Sequence, residues 1–180
     1  MTHHHHPDAL RWASPAARQR SEHPRNYGSL PKWNGHAQHT GPCGDTMEFW
    51  LDVSRRRIAH IGFTTSGCES SRAAGSMATE LAVGKSTDEA ARIESCHVLA
   101  ALGGLPKASE HCAQLAVDTL HAALTDFLDR ADAARRDGGH RRETSPDGDE
   151  PHQGFVGTFV SRVVERILGI PDSRRLPVQS

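Results

Sequence analysis

Residues 41–53 read GPCGDTMEFWLDV. Gly41, Pro42 and Gly44 make the first half a tight turn. From Thr46 onward apolar and polar side chains alternate, with Met47, Phe49 and Leu51 on one side and Glu48 and Asp52 on the other. A period of two marks a half-buried strand over Thr46–Val53. Trp50 interrupts the polar side and is expected to be half-covered. A turn at Ser54–Arg56 and a second run, Arg57–Thr65 with Ile58, Ile61 and Phe63 as its apolar set, complete an antiparallel hairpin. Cys43 and Asp45 therefore stand in a turn at the mouth of this hairpin. Taken alone, Cys43 reads as a buried small hydrophobe, half of a disulfide, or a metal ligand.

Upstream, residues 8–20 have helical character around Leu10, Trp12, Ala16 and Ala17. Residues 23–45 are rich in Pro, Gly and Asn and read as a long ordered loop, a kind of segment that often carries function. Downstream, Ser66-Gly67-Cys68-Glu69 matches a capping box, so a helix is expected there with Cys68 in its first turn, ending near Val83 before Gly84. Two short helices follow, over residues 86–93 and 94–102. Gly103-Gly104 and Pro106 then break the chain. A longer helix begins near Ala108 or Ser109, because Cys112, Leu115, Ala116, Leu120, Ala123, Leu124 and Phe127 recur at three- and four-residue steps.

The composition shifts near Arg130. Residues 135–153 hold almost no apolar side chains, and the expected organisation is an N-terminal tail and helix (1–20), a folded domain (21–130), a flexible charged linker (131–153) and a C-terminal amphipathic helix with its tail (154–180). Phe155, Phe159, Val163 and Ile167 give that last helix a wide apolar face. It either docks on its own domain, pairs in an oligomer or enters a partner's groove. His3–His6 reads as an expression-tag remnant or a natural tail in preference to a metal site.

The chain has 180 residues, a hydrophobic fraction of 36% against the usual ~45–50%, and a net charge of −1. Near-neutral charge excludes a strongly basic nucleic-acid footprint. No apolar run is long enough to span a membrane, and MTHHHHPDALRW lacks the apolar segment of a secretory signal. A cytoplasmic, reducing location is expected, in which cysteines remain thiols or bind metal. That sets aside the disulfide reading of Cys43.

Three of the four cysteines share a context. Cys43 lies in the Gly-rich turn, and Cys68 and Cys112 lie at expected helix starts, where free N–H groups and the helix dipole favour thiolate. Asp45 can be aimed with Cys43 by one short turn, and His111 adds an imidazole beside Cys112. Three thiolates with a carboxylate or imidazole suit zinc or an iron–sulfur cluster. Asp45 also reads as an ordinary turn former, and His111 as a surface histidine at a helix start. Cys96, in ESCHVLAAL, has no such context and is expected to pack in the core.

The pieces HPRNYGSL (23–30), GPCGDTMEFWLDV (41–53), TTSGCESS (64–71), GKSTDEA (84–90) and HC (111–112), in this order, resemble the U-type iron–sulfur cluster assembly scaffolds, the IscU and NifU N-terminal family. The resemblance implies an α+β fold, a small antiparallel three-stranded sheet packed against several helices. It implies a non-enzymatic scaffold that accepts persulfide sulfur from a cysteine desulfurase, binds iron, assembles a [2Fe–2S] cluster and passes it to recipient apoproteins. The ligands it implies are Cys43, Asp45, Cys68, His111 and Cys112, with Cys112 the persulfide acceptor and Asp45 the ligand that keeps the cluster labile. The same pocket in such proteins also takes zinc.

The sequence departs from the family pattern in three places. The LPPVK segment read by an Hsp70-type chaperone is LPKAS here (105–109), so that partner is not expected to act by the usual route. The Cys68–Cys112 interval is short, as in the IscU type and unlike the zinc-dependent SufU type. No cysteine follows Cys112, so the second cluster domain of nitrogen-fixation scaffolds is missing from this sequence. Two other readings stay open: a zinc-binding sulfur acceptor that stimulates a desulfurase without building clusters, and a zinc-stabilised interaction module. The short Cys68–Cys112 interval argues against the first and Asp45 against the second.

Overall fold

The computed structural model describes residues 14–137. The expected His3–His6 tail, the start of the 8–20 helix, most of the linker and the C-terminal helix lie outside the described residues. Along the chain run α1 (Pro15–Glu22), β1 (Gly35–Thr40), β2 (Thr46–Ser54), β3 (Arg57–Thr65), α2 (Glu69–Ala82), α3 (Thr87–Ala90), α4 (Ser95–Leu102), a short 3₁₀ turn (Lys107–Ser109) and α5 (His111–Asp137). The three strands form one antiparallel sheet in the order β1-β2-β3. This is the expected α+β architecture.

The β2 alternation is realised as read. Met47, Phe49, Leu51 and Val53 are buried and face the helices, while Glu48, Trp50 and Asp52 lie on the other face. On that outer face His36 stacks on Trp50 at 5.4 Å between ring centroids and pairs with Glu48 at 2.7 Å. The β3 pattern is broken for a definite reason. Val53 pairs with Ile58 but Asp52 with His60, so Ala59 is an extra residue. This bulge puts Ile58 and Ile61, three apart, both into the core.

Strand β1 corrects the reading of residues 23–45 as loop throughout. Its sequence, GHAQHT, offers one apolar side chain besides glycine, so no alternation announces it. It is held by backbone pairing to β2 and by α5, whose Asp126 carboxylate accepts a hydrogen bond from the His36 amide at 2.9 Å. The loop reading does hold for residues 23–34. There the Gly28 amide donates to the Phe63 carbonyl and the Phe63 amide to the Asn26 carbonyl, which covers the free edge of β3. The Asn34 side chain clamps Val53 through both of its backbone groups.

Helix α2 is central and rich in small residues; Ser70, Ser71, Ala73, Ala74, Gly75, Ser76, Ala78, Thr79 and Ala82 are all buried. It packs on β3, α1, α4 and α5. A Cβ at Gly75 would lie 2.4 Å from the Phe63 ring, so close approach of helix and strand is built into the sequence. Arg20 of α1 grips Glu80 of α2 at 2.7 and 3.0 Å, and Arg25 adds a contact at 3.6 Å. The expected stripe on α5 is buried from Cys112 to Leu124, and the helix continues to Asp137, past the shift in composition at Arg130.

Two local expectations are corrected. The Ser66–Glu69 capping box does not form: the Ser66 hydroxyl accepts from the Thr46 amide, and Cys68 is the N-cap of α2, one position before its first turn. A reciprocal capping box exists instead at Ser86 and Glu89, at the start of α3. Cys96 is exposed, not in the core. Helix α4 buries Val98 and Leu102 and turns Cys96 outward, where its thiol lies 3.6 Å from the Glu94 carboxylate.

Candidate metal centre

Two helix starts and one hairpin turn converge at one end of the sheet. The turn before β2 is closed by hydrogen bonds from the Gly41 amide to the Asp45 carbonyl (2.8 Å) and from the Gly44 amide to the Gly41 carbonyl (3.0 Å). Gly44 takes φ 83°, which suits glycine. The end of β3 is tied to the start of β2, with the Thr65 hydroxyl and the Ser66 amide both donating to the Thr46 carbonyl. Those ties set the α2 N-terminus directly against Asp45. The Asp45 carboxylate accepts from the Cys68 amide at 3.4 Å and from the Ser71 hydroxyl at 2.7 Å, and so caps α2 from another element. Gly67 makes this possible, because a Cβ there would lie 2.4 Å from the Asp45 carboxylate oxygen.

One ligand atom from each of Asp45, Cys68 and Cys112 lies within 4.8 Å of the other two; among the described residues no other group of three metal-ligating side chains comes so close. The two remaining expected ligands stand at the rim. His111 Nε2 is 3.6 Å from Cys112 Sγ. Cys43 is exposed at the turn, with its thiol beside the Asp45 carboxylate but outside the close trio. The site is thus three groups in contact and two at its edge.

The two central sulfurs are unequal. Cys68 is exposed and Cys112 is fully buried. The Cys68 thiol is brought down to about 5, chiefly by the neighbouring Cys112 side chain, with the Ser71 backbone, its hydroxyl and the Ser70 backbone helping against burial. Cys112 is pushed far up, first by the neighbouring Cys68 side chain and then by burial. Of the two sulfurs, the surroundings of Cys68 favour the thiolate and those of Cys112 the thiol. Cys43 lies above the ordinary cysteine value, foremost because its sulfur is partly shielded from water and also because Asp45 is beside it. A thiolate at a helix N-cap, a second thiol and a carboxylate offer both soft and hard donors to a thiophilic cation.

Sequence reasoning missed Ser71. Its hydroxyl lies at the centre of the trio, 3.4 Å from Cys112 Sγ and 3.8 Å from Cys68 Sγ as well as bonded to Asp45. The available signal was its spacing: a residue three after the N-cap lies on the same helix face.

The family model for the NifU-like N terminal domain matches residues 15–134. The chain belongs to this family. Among its relatives, iron-sulfur cluster assembly scaffold protein IscU 1 of Archaeoglobus fulgidus is 43% identical over 108 residues, covering 59% of this chain and 71% of the relative. The IscU scaffold protein of Aquifex aeolicus is 40% identical over 108 residues, covering 58% and 69%. The crystal structure of a nitrogen-fixing NifU-like protein (N-terminal) from Brucella abortus superposes with a TM-score of 0.54 at 16% identity, covering 68% of this chain and 97% of that one. It shows the same fold. The resemblance read from the spaced motifs is borne out.

Proposed function

We propose that this protein is a scaffold on which iron–sulfur clusters are assembled and from which they are handed on. The observation that carries the reading is the contact of Asp45, Cys68 and Cys112 at a pair of helix starts, with Cys68 open to solvent. Membership of the family and the names of the relatives support it. The cargo is a [2Fe–2S] cluster, bound by Cys43, Cys68 and Cys112 with Asp45 or His111 completing the set. A cysteine desulfurase supplies the sulfur and an apoprotein takes the finished cluster. Zinc occupies the same donors when no cluster is present.

Sulfur enters by thiol–disulfide-type exchange. A scaffold thiolate attacks the outer sulfur of the donor's persulfide, the donor's S–S bond breaks and the donor leaves as a thiolate. Each sulfur so delivered needs two electrons to become sulfide. Two ferrous ions going to ferric supply two of the four needed for a cluster, and an electron donor supplies the rest. The resemblance gives the acceptor role to Cys112. A second assignment is favoured by a specific observation: Cys68 is exposed at the N-cap of α2, where its surroundings favour the thiolate, while Cys112 is fully buried, where they favour the thiol. In the first assignment Cys112 becomes the attacking group once metal or partner binding removes its proton.

Anaerobic incubation of the apoprotein with ferrous iron, cysteine and a desulfurase should produce the visible absorption of a [2Fe–2S] cluster. A sample that stays colourless and keeps zinc throughout would refute the scaffold reading. Persulfide labelling separates the two acceptors: Cys112→Ser should abolish labelling if Cys112 accepts, whereas loss in Cys68→Ser with retention in Cys112→Ser assigns the role to Cys68.

A further inference from the structure

The outer edge of β3 is covered in two stretches with a gap between them. Residues 26–28 pair with Phe63 at one end. At the other, the Ile58 amide donates to the Lys85 carbonyl at 2.9 Å and the Gly84 amide to the Ile58 carbonyl at 2.8 Å. Alternate residues of a strand turn their backbone groups to the same side, so Ile61 faces this edge as Phe63 does. Among the described residues no hydrogen bond closes the edge at Ile61. The gap opens into a slot of about 260 Å³ lined by Asn26, Tyr27, Leu30, Ala59, Ile61 and Val83. Of the large apolar side chains exposed among the described residues, Tyr27, Trp33 and Val83, two stand at this slot. Its volume falls below the ~300–1,000 Å³ of small-molecule sites and suits about one or two apolar side chains.

We propose that residues 155–168 of this chain dock in the slot, with Phe155 and Phe159 as the anchors. The segment follows sixteen residues, 138–153, that contain no apolar side chain, and it then carries Phe155, Phe159, Val163 and Ile167 at four-residue steps. Apolar side chains at that density gain from cover, and the slot rim offers apolar surface in the same need. The path of α5 brings the segment to the right side of the sheet. Arg130 lies over the Trp33 ring at 5.0 Å, and Leu30 at the slot is three residues, at most about 11 Å of backbone, from Trp33. From Arg130 the helix runs about 10 Å further to Asp137. Residues 138–154 then reach up to about 55 Å when extended, which spans the return to the slot with length to spare. A tether of this kind raises the local concentration of the segment to the millimolar range, so a small site fills that a free peptide would leave empty.

Nuclear magnetic resonance on the full chain tests the docking. Assigned ring protons of Phe155 or Phe159 should show nuclear Overhauser contacts to the Val83 and Leu30 methyl groups. The Ile61 amide should exchange with solvent about tenfold more slowly than in the Phe155→Asp/Phe159→Asp variant. Val83→Asp, a change at the exposed rim, should lose the same contacts while the Leu120 and Leu124 methyl signals stay in place and report an intact fold. The wild-type contacts decide the matter even where a variant fails to fold. Diluting the protein tenfold should leave them unchanged, because segment and slot share one chain. Absence of any contact from Phe155 or Phe159 to Val83 and Leu30, with Ile61 exchange equal in wild type and variants, would overturn the proposal. Contacts that fade on dilution would also overturn it, since they would give the slot to a second copy.

Discussion

At the scale of single residues, Asp45 does two jobs. It caps α2 through the Cys68 amide and the Ser71 hydroxyl, and it stands within ligand distance of two sulfurs. A hard oxygen donor holds iron–sulfur iron less firmly than thiolate does. Asp45→Ala should therefore give a longer-lived cluster, followed as slower bleaching of visible absorption in the presence of a chelator; an equal or shorter lifetime would remove the role assigned to Asp45. Elsewhere on α5, His121 is buried and neither ring nitrogen has a hydrogen-bond partner among the described residues. Burial lowers its pKa, outweighing Asp118, the Ile93 backbone and Glu94, which favour the charged form. The folded state thus prefers neutral histidine more than the unfolded chain does, so this contribution is present above the unfolded value of about 6.5 and is lost as pH falls below it. His121→Leu should raise stability by roughly 1 kcal/mol at neutral pH and remove part of the acid sensitivity, read as melting temperature against pH.

At the scale of elements, legibility followed burial contrast. β2 and α5 each bury one regular face, and their periods were plain in the sequence. β1 was not legible, because an edge strand held by backbone pairing and by a close helix needs few apolar side chains. The same absence of bulk marks α2, where small residues are buried on nearly every side. Its cap was misread for a related reason: Asp45, distant in sequence, supplies the acceptor that the Ser66–Glu69 pattern offered locally. Close approach at Gly75 makes a direct prediction. Gly75→Ala would gain helix propensity but place a methyl 2.4 Å from Phe63. Overpacking should win, with a net loss of about 1–3 kcal/mol in chemical denaturation.

At the scale of the whole molecule, the fold serves to bring a hairpin turn and two helix N-termini to one point. Local context and spaced motifs named five candidate ligands, of which the fold brings Asp45, Cys68 and Cys112 together. Their division into a close trio and a two-residue rim was not legible, because it depends on how far the turn carries Cys43 outward and on which sulfur the helices bury. Nor was the central position of Ser71. An arrangement with one exposed sulfur, one buried sulfur and a carboxylate beside them is suited to loading and unloading, and poorly suited to permanent retention. Among the described residues no helix is long and apolar enough to cross a membrane. Cluster transfer tests the scaffold role most directly. Protein reconstituted with a [2Fe–2S] cluster is mixed anaerobically with an apo-ferredoxin, and circular dichroism follows the cluster from one protein to the other. Transfer of the intact cluster is expected, with the scaffold returned to its metal-free form; a cluster that stays on this protein, or reaches the ferredoxin only through iron and sulfide free in solution, would contradict the scaffold role.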